Sequence, residues 1–187
     1  DGTITVTATL SFATIINTTV VIDTSGTATE GTDYGSISDI TINAGDTTGT
    51  ATFDPTDDSI YEGNETATVS IASVVGADAG STTSQTITIT DNESAPTVTL
   101  ASSASSIAEN AGSSLTLTAT LSVATTADVT VGISTSGTGT EGTDYSTISD
   151  ITISAGATTG TASFTPTDDS VYEGNETGIV AIDTVSG

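Results

Sequence analysis

The chain has no lysine, no arginine and no histidine, against 24 aspartates and glutamates, for a formal net charge of −24. This excludes binding to a nucleic-acid backbone, which needs cationic side chains to displace counterions. It equally excludes docking on anionic lipid. No ion pair between side chains can form, so any clustered carboxylates are screened by water and salt or by a bound metal ion. Lysine-dependent isopeptide cross-links are excluded as well. Cysteine is absent, so no disulfide staples the fold. Without His, Cys or Lys there is no base or nucleophile suited to neutral pH. A carboxylate pair could serve glycoside hydrolysis, but that chemistry wants an aromatic-lined sugar cleft, and the chain has no tryptophan. The expectation is a protein that is not an enzyme. There is no initiator Met, no signal peptide and no apolar run long enough to span a membrane. The chain begins and stops in mid-pattern, and reads as a window on a longer protein.

What is present is alternation. Ile4, Val6, Ala8 and Leu10 alternate with threonines, and Leu115, Leu117, Ala119 and Leu121 do the same. Pairs such as Ile40 and Ile42, Ala51 and Phe53, Val69 and Ile71, Ile87 and Ile89, and Val98 and Leu100 extend the pattern. A period of two marks half-buried antiparallel strands. Threonine suits the outward face because it favours strands without adding charge. Turn signals separate the runs at 25–36, 43–49 and 76–82. No helical period is present. Phe53 and Phe164 are expected inside, and Tyr61 and Tyr172 at a sheet edge.

The chain also repeats itself. Shifted by 111 residues, 1–76 aligns with 112–187 without a gap and with about two-thirds of positions identical. A repeat of that length is a whole domain. The first repeat is expected to lack its opening strand and the second its closing strand. Pro96 marks the boundary, giving domains 1–94 and 95–187.

The most faithfully repeated stretch is acidic: TDDSIYEGNET at 56–66 returns as TDDSVYEGNET at 167–177. Each copy crowds four carboxylates together: Asp57, Asp58, Glu62 and Glu65, then Asp168, Asp169, Glu173 and Glu176. Neighbouring strand residues face opposite ways, so each Asp pair needs a bend to converge, and Pro55 could supply it. The bland alternative is a solvated acidic turn. Crowded carboxylates without counter-charge cost a few kcal/mol at an effective dielectric near ~20, which favours a hard cation such as calcium. A second acidic pair, Glu30 and Asp33 with Glu141 and Asp144, lies in the EGTDY turns and reads as turn architecture. Asn17, Asn64, Asn92 and Asn175 open N-x-S/T sequons.

The order of SGTATEGTDY, NAGDTTGTATF, TDDSIYEGNET and TITITDNES, with SIAENAG at 106–112, resembles the Calx-beta domain. That family occurs in sodium–calcium exchangers, integrin β4 and large bacterial surface proteins. The resemblance implies an all-β fold of tandem immunoglobulin-like antiparallel β-sandwiches, with calcium at one tip in the binding members. It implies ligands at Asp57, Asp58, Glu62 and Glu65, at Asp168, Asp169, Glu173 and Glu176, and at the carbonyls of Ile60 and Val171. It adds Glu109 from the opening strand and Asp91, Asn92 and Glu93 from the end of the last. Ser59 and Ser170, and Ser25 and Ser136, stand where acids are expected, and Asn92 replaces another. These departures predict fewer ions per domain, one or two, or weaker binding.

The expected role is mechanical: a calcium-stiffened part of a secreted or cell-surface stalk, adhesin shaft or filament. The expected partners are calcium ions, neighbouring repeats or identical chains, and glycans. The alternatives are a fibre subunit completed by strand exchange between chains and a calcium-dependent glycan- or cell-surface-binding module.

Overall fold

A computed structural model describes residues 2–187; residue 1, the first of the expected domain 1–94, lies outside the described residues. The chain divides into two units. Unit 1 holds residues up to Asp58 together with Gly63–Asn92, and unit 2 holds Ser59–Glu62 and Glu93–Gly187. Among the described residues no helix is long and apolar enough to cross a membrane.

Unit 1 is built from β1 (Ile4–Thr9), β2 (Thr18–Gly26), β3 (Ile40–Ile42), β4 (Thr48–Phe53), β6 (Glu65–Val75) and β7 (Ser84–Ile89). One sheet pairs β1 with β4; the other runs β3-β2-β6-β7, all antiparallel. The alternating residues put Val20, Ile40 and Ile42 of the larger sheet against Ala51 of the smaller one. A second part of the core gathers Ala28, Tyr34, Phe53, Ala67 and Val69, with Ile87 and Ile89 of β7 packed against it.

Unit 2 repeats the plan with β8 (Val98–Ser102), β9 (Leu115–Leu121), β11 (Val129–Gly137), β12 (Ile151–Ile153), β13 (Thr159–Phe164) and β14 (Gly178–Ser186). Its sheets are β13-β9-β8 and β12-β11-β14. Leu117, Ala119 and Leu121 face Val129, Val131, Ile151 and Ile153 across one core. Two short strands, β5 (Ile60–Tyr61) and β10 (Ala124–Thr125), pair in parallel, and a single 3-10 turn covers Glu109–Ala111. The fold is an all-β pair of antiparallel sandwiches.

Two details escape the period-two reading. Each long strand carries a bulge: the register of β2 with β6 shifts between Val21 and Ile22, and that of β11 with β14 between Gly132 and Ile133. The extra residue reverses facing, so Ile71 and Val74, three apart, both reach the core. The aromatics also differ from expectation. Phe53 is fully buried, whereas Phe164 is only half-buried and Tyr172 is 96% exposed rather than packed on a sheet edge. The turn residues Tyr34 and Tyr145, 1% and 3% exposed, are core instead.

Candidate metal centre

The site is best followed in unit 2, where every contributing element belongs to one body. The chain at 140–144 makes a tight turn. Gly142 sits at φ +82°, a region costly for any side chain, and the Asp144 amide donates to the Thr140 carbonyl at 2.9 Å. Asp144 Oδ2 accepts from the Thr140 amide at 2.6 Å, closing the turn from the other side. The next residue, Tyr145, stacks on Phe164 with ring centroids 4.7 Å apart. It also bridges to Pro166, and the Thr167 amide donates to the Asp144 carbonyl at 2.9 Å. The ring pair and these backbone bonds place the Asp144 carboxylate beside the acidic stretch that begins at Asp168.

Carboxylate oxygens of Asp144, Glu173 and Glu176 lie within 4.8 Å of one another. Asp144 is half-buried and both glutamates are exposed. Two oxygens bound to one calcium at ~2.4 Å can be no further apart than about 4.8 Å, so the spacing fits a shared ion of that size. The donor set is all hard oxygen, which suits calcium and excludes a soft-metal site. Asp169 and Glu109 stand close by. Glu109 Oε1 accepts from the Asp169 amide at 2.9 Å, tying the 3-10 turn to the acidic stretch, and Asp169 Oδ1 accepts from the Val171 amide at 2.6 Å.

The crowding shows in proton affinity. Loss of hydration raises the Glu173 pKa, and the charges of Asp144, Asp169, Glu176 and Glu109 raise it further. Glu176 is raised by the same loss of hydration, then by the charge of Asp144, by a hydrogen bond between the two carboxyl groups, and by Glu109.

In unit 1 the same turn recurs. Asp33 is 8% exposed; its Oδ2 accepts from the Thr29 amide at 2.6 Å and its carbonyl from the Thr56 amide at 2.9 Å. Carboxylate oxygens of Asp33 and Glu65 lie within 4.8 Å. The segment after β7 closes onto the acidic turn. Asp91 Oδ2 accepts from the Gly63 amide at 2.6 Å, the Asp91 amide donates to Asn64 Oδ1 at 3.1 Å, and Asn92 Nδ2 donates to Asp57 Oδ1 at 3.1 Å.

Of the expected ligands, the structure therefore brings together Glu173 and Glu176, with Asp169 and Glu109 adjacent, and in unit 1 joins Asp57 with Asn92 and Asp91 with Gly63. Asp58 is exposed, Ile60, Glu62 and Glu93 are half-buried, and Asp168 and Val171 are exposed. The sequence marks Asp33 and Asp144 as turn formers. They do form turns, but each also presents its carboxylate to the tip. The missed signal was the tyrosine that follows each of them, which pins the turn to the core. Their pairmates differ: Glu30 Oε2 accepts from Thr24 Oγ1 at 3.0 Å, and Glu141 accepts from Thr135 Oγ1 and from the Ile148 amide, so both serve the turn. Ser25, where an acid was expected, lies in β2 opposite Thr68.

No curated protein sequence matches the chain. Among solved structures, the crystal structure of CBD12 from CALX1.2 aligns over 88% of this chain and 68% of its own length, at 19% identity and a TM-score of 0.43. The crystal structure of calcium binding domain CBD12 of CALX1.1 aligns over 90% and 70%, at 19% identity and a TM-score of 0.44. The family model described as the Calx-beta domain matches twice, over residues 1–93 and 91–187. Two matches that together span the chain make this protein a member of the Calx-beta domain family.

Proposed function

We propose that the chain is a calcium-binding structural repeat, forming domains 1–94 and 95–187 of a secreted or cell-surface stalk, adhesin shaft or filament. The observation that carries this reading is the meeting of three carboxylates in unit 2 in a chain with no cationic side chain. Asp144, Glu173 and Glu176 would hold the ion, with Asp169, Asp168, Glu109 and the Val171 carbonyl nearby. By sequence the counterparts in the first repeat are Asp33, Glu62 and Glu65, and the further candidate ligands there are Asp57, Asp58, Asp91, Asn92, Glu93 and the Ile60 carbonyl. Calcium supplies the positive charge the polypeptide lacks and draws separate loops to one point. The role is mechanical rather than catalytic, and the partners are neighbouring repeats, identical chains or glycans.

The test is thermal unfolding after chelation and again after calcium is restored. A ligand that binds only the folded state adds about 2.7 kcal/mol at a hundredfold excess over its Kd. A clear rise in Tm with calcium, larger than with magnesium, is expected. Identical melting curves at low salt would remove calcium from the function.

A further inference from the structure

Within unit 2, β5 pairs in parallel with β10, Ala124 opposite Ile60 and Thr125 opposite Tyr61. Ile60, Tyr61 and Ala124 are half-buried and Thr125 is buried. Each half of this pair has a counterpart 111 residues away in the interior of the chain. Val171 and Tyr172, between β13 and β14, repeat Ile60 and Tyr61, and both are exposed. Ala13 and Thr14, between β1 and β2, repeat Ala124 and Thr125; the alanine is exposed and the threonine only half-buried. The two loops share one backbone plan. Thr14 Oγ1 donates to the Ile16 carbonyl at 2.7 Å, and Thr125 Oγ1 to the Ala127 carbonyl at 2.8 Å. The Gly45 and Gly156 amides donate to the Thr14 and Thr125 carbonyls, each at 2.8 Å. The side chains differ. Phe12, Ile15 and Ile16 stand where the second repeat has Val123, Thr126 and Ala127, and they are 81%, 97% and 58% exposed. Three large apolar side chains on one uncovered loop mark a contact surface.

We infer that loop 11–17 receives Val171 and Tyr172 of a second copy of this chain, in the parallel pairing that β5 and β10 display. By that register Ala13 falls opposite Val171 and Thr14 opposite Tyr172. Phe12, Ile15 and Ile16 then cover the valine and the tyrosine ring, which in either copy alone lie in water. The occupant follows from the pairing itself: a Val/Ile-Tyr dipeptide from the acidic stretch already lies on this loop plan in unit 2. Ala124 and Thr125 are not the acceptor, because Ile60 and Tyr61 occupy them. The chain's own Val171 and Tyr172 do not fill loop 11–17, since both surfaces are exposed with the whole chain present. Charge permits the contact. Residues 2–22 carry no charged side chain, so an acidic segment meets little repulsion from them. Asp46, in the turn bonded to the loop through Gly45, is the acid that salt must screen. Donor and acceptor are different surfaces, so the contact is heterologous and adds copies head to tail. This deepens the reading that identical chains are partners and rests on it; it does not rest on calcium.

The test is sedimentation of the full chain in chelator at about 0.5 M NaCl, which screens acidic copies from one another. The weight-average mass is expected to climb past that of a dimer as the protein is taken to about 1 mM, the range of a small, weak interface. One variant carries Phe12→Val, Ile15→Thr and Ile16→Ala, the residues the second repeat holds on the same backbone plan, so its fold is kept. A second carries Tyr172→Ser at a fully solvated ring. Each should weaken association at least about tenfold, with an unchanged melting curve. An equimolar mixture of the two should form one-to-one pairs and nothing longer, because the first still donates and the second still accepts. No association of the parent chain, undiminished association of either variant, or a mixture no better than its components would overturn the inference. Because chelator is present throughout, a failure of calcium binding leaves this result standing, and a failure to associate leaves the calcium site standing.

Discussion

Asp144 does two jobs with one carboxylate. Its Oδ2 takes the Thr140 amide, while the group as a whole stands within 4.8 Å of Glu173 and Glu176. Asp144→Asn separates the jobs, because an amide oxygen still accepts the turn bond but the charge is gone. The expected outcome is unchanged folding by circular dichroism and calcium binding weakened about tenfold, roughly 1.4 kcal/mol, read by titration calorimetry. The glutamates give a pH prediction of definite sign. Their folded pKa values are raised by lost hydration and neighbouring charge. A carboxyl raised on folding gives stability that is present below its unfolded pKa and lost as pH rises through the folded value. The chelated protein should therefore melt higher as pH falls from neutral into the window just above the ordinary carboxylate range. Calcium competes for the same oxygens, so its apparent affinity should fall over that window. Melting scans at fixed ionic strength, with and without calcium, check both arms.

The element that sets up each tip is the EGTDY turn with the strand it leans on. Tyr34 on Phe53 and Tyr145 on Phe164 have the same 4.7 Å ring separation and 25° interplanar angle. The strand end that leads into each turn must also approach its neighbour closely. Gly26 and Gly137 hold φ at +132° and +123°, and a Cβ there would come to 2.1 Å and 2.0 Å from the carbonyls of Thr66 and Thr177. Burial around the ring pairs is unequal, which yields a prediction. Phe53→Ala should cost about 3–5 kcal/mol, the usual loss for a buried phenylalanine. Phe164→Ala should cost less, because its ring is only half-buried. Denaturant unfolding of the two variants decides the order.

At the scale of the whole molecule, charge dominates. Carboxylates numbering 24 with no cation repel one another, and the compact state bears that cost. Two remedies have different signatures. Sodium chloride screens every exposed acid, so Tm should rise gradually up to molar salt, where the Debye length is about 3 Å. Calcium acts at the tips, so its effect should saturate at far lower concentration. A calcium curve that simply follows ionic strength would point to screening alone.

The sandwich is legible in the chain, because strand faces follow from a period of two that needs no long-range knowledge. The 111-residue self-match set out the two copies, and the missing cations narrowed the possible partners. Local spacing could not reveal the bulges in β6 and β14, since an extra residue in a ladder depends on the partner strand. Nor could it assign Asp33 and Asp144, which lie 24 residues before Asp57 and Asp168 in the chain. That these acids face the tip follows from packing: a tyrosine buried against a phenylalanine from another strand fixes where the turn is held. Alternation is written in neighbouring residues, whereas convergence of carboxylates depends on which distant segments share a core.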